Sequence, residues 1–227
     1  MKQNLPDFFR KFTAKRALNK LRIALEKARR LDFSTIIESE EVGYDPALVI
    51  HSSPSGNRYL IRLLKDLQVS DRDSILDIGC GKGSAMWAMC KFPFARIDGI
   101  EISPHIASIA AQNFATLKET RCQIFNCDAA VFREYHPYTM IYFYHPFPAE
   151  VMERVMANIE LSLAQEEKEV LVIYNNPVCH SLIVERGVFF KMAEYPDEWG
   201  NQIYVYSNRP AIHSRISHLT LKAGRRA

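Results

Sequence analysis

Strands and helices alternate regularly through the middle of this 227-residue sequence. Short runs rich in β-branched and aromatic residues predict strands at 74–78, 96–101, 122–127, 139–144 and 169–174. Apolar residues at helical spacing separate these runs near 84–91, 104–115 and 149–163. Strands separated by helices pair in parallel and are covered on both faces, so the pattern predicts an α/β fold around a parallel sheet.

The last third of the sequence changes character. Two β-rich runs, GVFFKMAEYP at 187–196 and GNQIYVYSN at 200–208, are joined through DEWG. Two such runs with a short polar connection predict a hairpin, so we expect the sheet to close with an antiparallel pair.

The two ends of the chain differ in charge from its middle. Residues 1–30 carry ten Lys and Arg against two acids, and residues 209–227 carry five basic residues and no acid. Because the net charge is +3, the remaining residues carry −10. We therefore predict a basic N-terminal extension over 1–53, a central domain over 54–208 and a basic C-terminal tail over 209–227.

The N-terminal extension contains one helical pattern. From Ala14 to Leu31, apolar residues recur every three or four positions with Lys and Arg between them, which predicts a basic amphipathic helix. We expect its apolar stripe to pack on the body of the protein or on a second copy; a membrane surface, an acidic partner and nucleic acid are the alternatives. Further along, Ser53 and Pro54 predict the N-cap and first turn of a helix that runs through Leu67.

Composition narrows the class of protein. Hydrophobic residues make up 48% and charged residues 24%, as in ordinary globular domains. Five cysteines without a C-x-x-C pair argue against a zinc site and a disulfide framework, so no metal is expected. The sequence offers neither a signal-peptide pattern nor a stretch of membrane-spanning length, so we expect a cytoplasmic protein.

Three glycines follow the first strand in the sequence LDIGCGKGS. Gly79, Gly81 and Gly83, at every second position, allow the backbone to approach a small ligand closely. A phosphate-binding P-loop needs G-x-x-x-x-G-K-[ST], which this spacing does not match. The dinucleotide fingerprint G-x-G-x-x-G is matched only in part, because Ser84 stands where its third glycine belongs.

Acidic residues mark the carboxyl ends of three successive strands. Asp77 would repel a diphosphate in the glycine loop by about 1 to 4 kcal/mol at about 4 Å, and would attract a cationic nucleoside as strongly. Glu101, 18 residues after Gly83, can accept both hydroxyls of a ribose. Asp128 could accept from an adenine amine. Because open α/β sheets bind ligands at this edge, the three acids favour a cationic nucleoside.

The sequences LDIGCGKG, IDGIEIS and NCDAA resemble the successive cofactor motifs of class I S-adenosylmethionine-dependent methyltransferases, over roughly residues 54 to 207. The resemblance implies a Rossmann-like, seven-stranded, mostly parallel sheet with a C-terminal antiparallel hairpin, and S-adenosyl-L-methionine as cofactor. The resemblance implies that the backbone of Gly79, Cys80, Gly81 and Gly83 lies beside the methionine part of the cofactor, with Asp77 near its amino group. It further implies that Glu101 binds the ribose, that Ile102 packs against the adenine, and that Asp128 with Ala129 lies at the adenine edge.

Candidate acceptor residues follow the fourth strand in the sequence YFYHPFP. After the fourth strand, members of this family that methylate amines carry the motif Asn/Asp/Ser-Pro-Pro-Tyr/Phe. In this sequence His145 occupies the first position of that motif. His145 could accept a proton from the substrate or orient it, or only cap the strand; Tyr144 could shape the same pocket or belong to the core. Methyl transfer mainly needs a nucleophile held in line, so no catalytic base is required.

Two further groups of residues are weaker candidates for the site. Tyr44, His51 and Ser52 lie where family members often carry a segment that folds over the cofactor. The sequence NNPVCH, residues 175–180, could line the acceptor pocket or form a plain turn.

The sequence therefore predicts an S-adenosylmethionine-dependent methyltransferase with an unidentified acceptor. An amine of a protein or small molecule is favoured, and RNA is a further candidate. Two alternatives stay open: an NAD(P)-binding oxidoreductase, which the glycine spacing and Asp77 disfavour, and a non-catalytic cofactor-binding or interaction module acting through the basic helix.

Overall fold

A computed structural model describes residues 5–35, 55–197 and 200–219 of the chain. The helices in these residues are α1 (Leu5–Ala28), α2 (Arg58–Asp66), α3 (Ser84–Met89), α4 (Pro104–Leu117), α5 (Ala149–Leu163) and α6 (His180–Glu185). The strands are β1 (Ser74–Ile78), β2 (Arg96–Glu101), β3 (Cys122–Asn126), β4 (Met140–Tyr144), β5 (Leu171–Asn175), β6 (Phe190–Pro196) and β7 (Gln202–Ser207).

The strands form one seven-stranded sheet in the order β3-β2-β1-β4-β5-β7-β6. β1 to β5 pair in parallel, and β7 runs antiparallel to both β5 and β6. The predicted mostly parallel sheet with a closing antiparallel hairpin is therefore confirmed. The strand order reverses between β1 and β4, and such a switch point is where open α/β sheets bind their ligands.

Most strand bounds agree closely with the sequence prediction. The predicted strands at 74–78 and 96–101 are β1 and β2, and the later strands are displaced by up to three residues. The helices differ more: α1 begins at Leu5 rather than Ala14, and α6 was not predicted. The helix expected to start at Ser53 begins instead at Arg58, because the Asn57 side chain accepts hydrogen bonds from the N–H groups of Tyr59 and Leu60. That start was wrong, and Ser53 and Pro54 themselves lie outside the described residues.

Two hydrophobic clusters cover the two faces of the sheet, because successive side chains of a strand point to opposite faces. Ile75 and Tyr142 face α2 and α3. Leu76 and Phe143 face α5 and α6. Both layers are therefore anchored on the two central strands β1 and β4.

The apolar stripe of α1 does not pack on this core. Leu18, Leu21 and Leu25 are 67%, 57% and 55% exposed, so the expectation that the stripe packs on the body of the protein was wrong for this part of it. Leu31, at the end of the predicted stripe, is buried in the core. A second copy, a membrane surface, an acidic partner and nucleic acid stay hypotheses for this stripe. In the described part of the chain, no helix combines the length and apolar character needed to cross a membrane.

Segments outside the predicted central domain do reach the core. Phe33 is buried, stacks on Trp87 at 5.8 Å between ring centroids and meets Phe114 edge-on at 5.8 Å. At the other end of the chain, Ile216 is buried and Arg215 donates to the Asp73 carboxylate at 2.5 Å.

If Phe33 fastens the N-terminal segment to the core, Phe33→Ala should lower the free energy of unfolding by about 3 kcal/mol, because a buried ring is replaced by a cavity. Urea denaturation measures this change. The matched control is Leu21→Ala on exposed α1, which should change stability by less than about 0.5 kcal/mol. Equal effects of the two substitutions would contradict the docking of Phe33.

Candidate active site

The glycine loop that follows β1 lies directly over the edge of β2. The N–H groups of Gly79 and Cys80 both donate to the Ile100 carbonyl at 2.9 Å. All three glycines of the loop have positive φ, +78° at Gly79, +54° at Gly81 and +86° at Gly83, a conformation that other residues adopt only with strain. The loop therefore depends on glycine at each of these positions.

A fourth glycine, Gly99 on β2, makes room for the loop. A Cβ on Gly99 would lie 2.6 Å from the Cys80 Sγ atom and 2.7 Å from the Met86 Sδ atom. Cys80 is buried here, and burial raises the pKa of its thiol well above the ordinary value. Cys80 therefore packs as a neutral side chain, and its backbone forms part of the loop.

Glu101 ends β2 and holds the loop from the other side. Its Oε2 atom accepts from the Gly81 N–H at 3.0 Å and its Oε1 atom from the Ser103 N–H at 2.9 Å. Burial raises the pKa of Glu101, while these N–H groups favour the charged form and oppose the rise. Each carboxylate oxygen has a second lone pair, so Glu101 can still accept from the two hydroxyls of a ribose.

Asp77 lies beside the loop and is 2% exposed. Burial, and then the charge of Glu101, raise the pKa of Asp77 to about 8. Its Oδ2 atom is buried without a hydrogen-bond partner in the described structure. A buried acceptor in this state is destabilising by about 1 to 3 kcal/mol, and a cationic ligand group would relieve that. The residues around the loop thus fit a cofactor with a positively charged methionine part.

The end of β3 supplies the other sequence-predicted cofactor residues. The Asp128 Oδ1 atom accepts from the Ala130 N–H at 2.8 Å, and Ala129 beside it is buried. Asn126 donates to the Glu101 and Ile102 carbonyls, both at 2.9 Å. This amide ties the end of β3 to the turn after β2, so Ile102 and Asp128 lie at neighbouring strand ends.

The loop after β4 touches the glycine loop. A Cβ on Gly79 would lie 2.5 Å from the Pro146 Cβ atom. His145 has a positive φ of +36°, and its Nδ1 atom is 3.5 Å from the Tyr174 hydroxyl. Burial lowers the pKa of His145, which favours the neutral ring. Tyr144 is only partly buried at the end of β4, beside Asn175 of β5 in the sheet register.

Lys82 has a role that its sequence spacing did not indicate. It is 3% exposed, and its ammonium donates to the Asp32 carboxylate at 2.8 Å and to the Thr35 hydroxyl. Asn113 on α4 donates to the Asp32 and Lys82 carbonyls at 2.9 and 3.1 Å and accepts from the Asp32 N–H at 2.8 Å. Residues 31–35 are therefore fastened to the glycine loop.

Burial alone would raise the pKa of Asp32, but the hydrogen bonds from Lys82 and Thr35 and the Lys82 charge outweigh it and lower that pKa. Asp32 is therefore a stable counter-ion for Lys82. No pattern in the sequence pairs these two residues, which are 50 positions apart.

The structure thus brings the predicted residues of β1, β2, β3 and β4 to one edge of the sheet. Tyr44, His51 and Ser52, the predicted covering segment, lie outside the described residues. Sequence reasoning missed Asn57, Asn113 and Asp197, whose amides and carboxylate are buried near this edge.

Comparison with known proteins supports a methyltransferase fold. Residues 75–166 match the family model described as a methyltransferase domain, which spans the glycine loop and all four strand ends just described. Over these residues the chain is similar to methyltransferase domains.

Curated proteins similar to this chain include trans-aconitate 2-methyltransferase of Escherichia coli, 25% identical over 157 residues. The match covers 69% of this chain and 52% of that relative, so the chain spans about half the length of the curated relatives it matches. A second relative, from Enterobacter sp., is 28% identical over 100 residues, 44% of this chain and 38% of the relative.

Solved structures of methyltransferases share the fold of this chain. The glycopeptide N-methyltransferase MtfA, solved with S-adenosyl-L-methionine, gives a TM-score of 0.54 at 10% identity, over 67% of this chain and 93% of that chain. A SAM-dependent methyltransferase from Aquifex aeolicus gives 0.52 at 11% identity, over 65% and 88%.

The raised pKa of Asp77 has a measurable consequence for stability. The folded protein keeps this proton up to about pH 8, whereas an unfolded chain releases it near the ordinary value of 3.8. The contribution of Asp77 to the stability of the folded protein is therefore fully present below about pH 4 and is lost as the pH rises to about 8. Asp77→Asn is always neutral, so its Tm should exceed that of the unchanged protein by at least about 4 °C at about pH 8.

Thermal unfolding between about pH 5 and about pH 8 measures this gain, which should shrink toward the acidic end. A constant difference between Asp77→Asn and the unchanged protein would contradict the assigned cause.

Proposed function

We propose that this protein transfers a methyl group from S-adenosylmethionine to an acceptor molecule. The observation that carries the proposal is the unpartnered, buried Asp77 carboxyl beside a glycine loop whose other side is held by Glu101. This arrangement favours a ligand with both a cationic group and a ribose. A dinucleotide would bring a diphosphate to the same loop, and an anion there disfavours the ionised form of Asp77, whereas a cationic group favours it.

Each residue then has a defined role toward the cofactor. The backbone of Gly79, Cys80, Gly81 and Gly83 lies along the methionine part, and Asp77 accepts from its amino group. Glu101 accepts from the ribose hydroxyls, and Ile102 packs on the adenine. Asp128, with Ala129, accepts from the adenine amine through the carboxylate oxygen that Ala130 leaves unused.

S-adenosylmethionine supplies a methyl group on a sulfonium: the acceptor lone pair forms the new bond while the carbon–sulfur bond breaks and its electron pair stays on sulfur. The chain's task is to align the acceptor with this methyl group and to exclude water. His145 and Tyr144, at the loop that touches Gly79, are our candidates for the aligning residues.

His145 acts in this proposal as a donor of a hydrogen bond rather than as a base. The Tyr174 oxygen accepts from the Cys179 N–H at 3.3 Å, and burial keeps the pKa of Tyr174 above its ordinary value, so the phenol keeps its proton. That proton is directed to His145 Nδ1, 3.5 Å away. The neutral ring then carries its own proton on Nε2, where it can donate to a polar group of the acceptor other than the attacking nitrogen.

The cellular setting is also a proposal. All five cysteines are free thiols, which suits a reducing compartment such as the cytoplasm. The acceptor is an amine of a protein or small molecule in this proposal, because the loop after β4 occupies the position of the amine-methylating motif.

Isothermal calorimetry tests cofactor binding. The protein should bind S-adenosylmethionine and its demethylated product, S-adenosylhomocysteine. Glu101→Gln should weaken both by at least tenfold, about 1.4 kcal/mol, because it loses a charged acceptor for the ribose. The control Glu160→Gln removes a carboxylate paired with Arg186 at the surface of α5 and should leave the affinity unchanged.

Transfer itself is measured by incubating the protein with radiolabelled methyl donor and fractionated lysate. Label should enter an amine-containing fraction. Binding of NADH without binding of either sulfur ligand would overturn the proposal in favour of an oxidoreductase. Cofactor binding without label in any fraction would favour the non-catalytic module.

A further inference from the structure

Two cysteine side chains meet at the end of the sheet opposite the ligand edge. The Cys90 and Cys122 Sγ atoms are 3.5 Å apart, although the two residues are 32 positions apart in the chain. Cys90 is the C-cap of α3, and Cys122 is the first residue of β3. A disulfide holds its sulfurs at about 2.0 Å, so these two need to approach each other by only about 1.5 Å.

Arg121 holds the two chain segments in this position. Its guanidinium donates to the Cys90 carbonyl at 3.0 Å and to the Phe92 carbonyl at 2.8 Å, and it is paired with Glu119 at 2.7 Å. Because Arg121 directly precedes Cys122, these bonds fasten the residues after α3 to the start of β3. The contact between the two sulfurs therefore rests on fixed main-chain positions as well as on side-chain orientation.

The pair is within reach of a small reagent. Cys90 and Cys122 are half-buried, and β3 is an edge strand of the sheet. Cys80 and Cys179 are buried. Cys127 is half-buried as well, but it follows the opposite end of β3 and has no second sulfur within hydrogen-bonding distance among the described residues. Cys90 and Cys122 are thus the two accessible thiols that the fold brings together.

The contact between the two sulfurs gives them different chemistry. The hydrogen bond with Cys90, and then burial, raise the pKa of the Cys122 thiol; the charge of Glu119 adds to the rise, and that of Arg121 opposes it. Cys122 therefore keeps its proton and donates to the Cys90 sulfur. Because the thiolate is the attacking form of cysteine, Cys90 is the sulfur that reacts first and Cys122 is the one that completes a bond.

We propose that Cys90 and Cys122 are a reversible oxidation site, which a low-molecular-weight disulfide converts to an intramolecular disulfide. The Cys90 thiolate attacks one sulfur of the oxidant, whose sulfur–sulfur bond breaks and releases one thiol molecule. Cys122 then loses its proton and attacks the mixed disulfide at Cys90, which releases the second thiol molecule. The protons and two electrons of the pair end on the released thiols, and an excess of small thiol reverses both steps.

This inference goes beyond the proposed methyl transfer and does not depend on it. The new bond would join α3, which begins directly after Gly83, to β3, which ends two residues before Asp128. It would close a loop over residues 90–122 and restrict the unfolded chain, which stabilises the folded protein. In a reducing compartment such a bond is transient, which suits a response to oxidising conditions rather than a permanent cross-link.

Intact-mass spectrometry of the native protein after incubation with oxidised glutathione tests this proposal. The product should have lost two hydrogen atoms and should carry no glutathione, and dithiothreitol should restore the original mass. Trypsin leaves Cys122 and Cys127 in one peptide, residues 122–133, so the peptide map needs variants to assign the bond. Cys127→Ser is the matched control and should keep the cross-link to Cys90, whereas Cys90→Ser and Cys122→Ser should each abolish it.

Thermal unfolding gives a second readout. The oxidised protein should have a Tm at least about 5 °C above that of the reduced protein, and neither Cys90→Ser nor Cys122→Ser should show this gain. A stable glutathione adduct without an internal bond, or a cross-link that persists in Cys122→Ser, would overturn the assignment. The unchanged protein by itself shows whether the bond forms, so poor folding of a variant does not obscure the result.

Discussion

The glycine loop can lie over β2 only because the two backbones approach each other without side chains between them. Gly99 leaves the space that Cys80 and Met86 fill, and the Ile100 carbonyl binds two consecutive N–H groups of the loop. Glu101 then completes the contact by accepting from Gly81. The contact of the β4 loop with Gly79 and the burial of Asp77 follow from this close approach.

The same loop also fixes the N-terminal segment. Lys82 is directed away from the ligand side of the loop and is neutralised by Asp32, and Phe33 packs between Trp87 and Phe114. A buried lysine is tolerable only with a hydrogen-bonded counter-ion, so the segment and the loop depend on each other. The chain just before residues 36–54 is thereby held beside the site.

Two carboxyl groups at this edge, those of Asp77 and Glu101, are buried at a cost to the stability of the fold. Burial raises the pKa of both Asp77 and Glu101, and the unpaired atoms of Asp77, Tyr142 and Asn175 add to the cost. Functional sites commonly carry such local destabilisation because ligand binding relieves it. The cationic cofactor proposed here would satisfy Asp77.

Much of the fold and part of the site followed from local sequence pattern. Alternating strands and helices determined the parallel sheet, two β-rich runs determined the closing hairpin, and the G-x-G-x-G spacing with its neighbouring acids determined where the ligand edge would be. These features are readable because strand and helix periodicity and glycine conformation are properties of short segments.

Tertiary structure alone decided the remaining features, because each joins residues far apart in the chain. The Lys82–Asp32 pair spans 50 positions, and the Asn57–Asp197 bond spans 140. The start of α2 was predicted wrongly because the Asn57 side chain caps this helix. The exposure of α1 depends on which of its residues the rest of the chain covers. Asp77 was recognisable as an acid by sequence, but only its burial between two strands and beside Glu101 makes it an unpaired, largely neutral group.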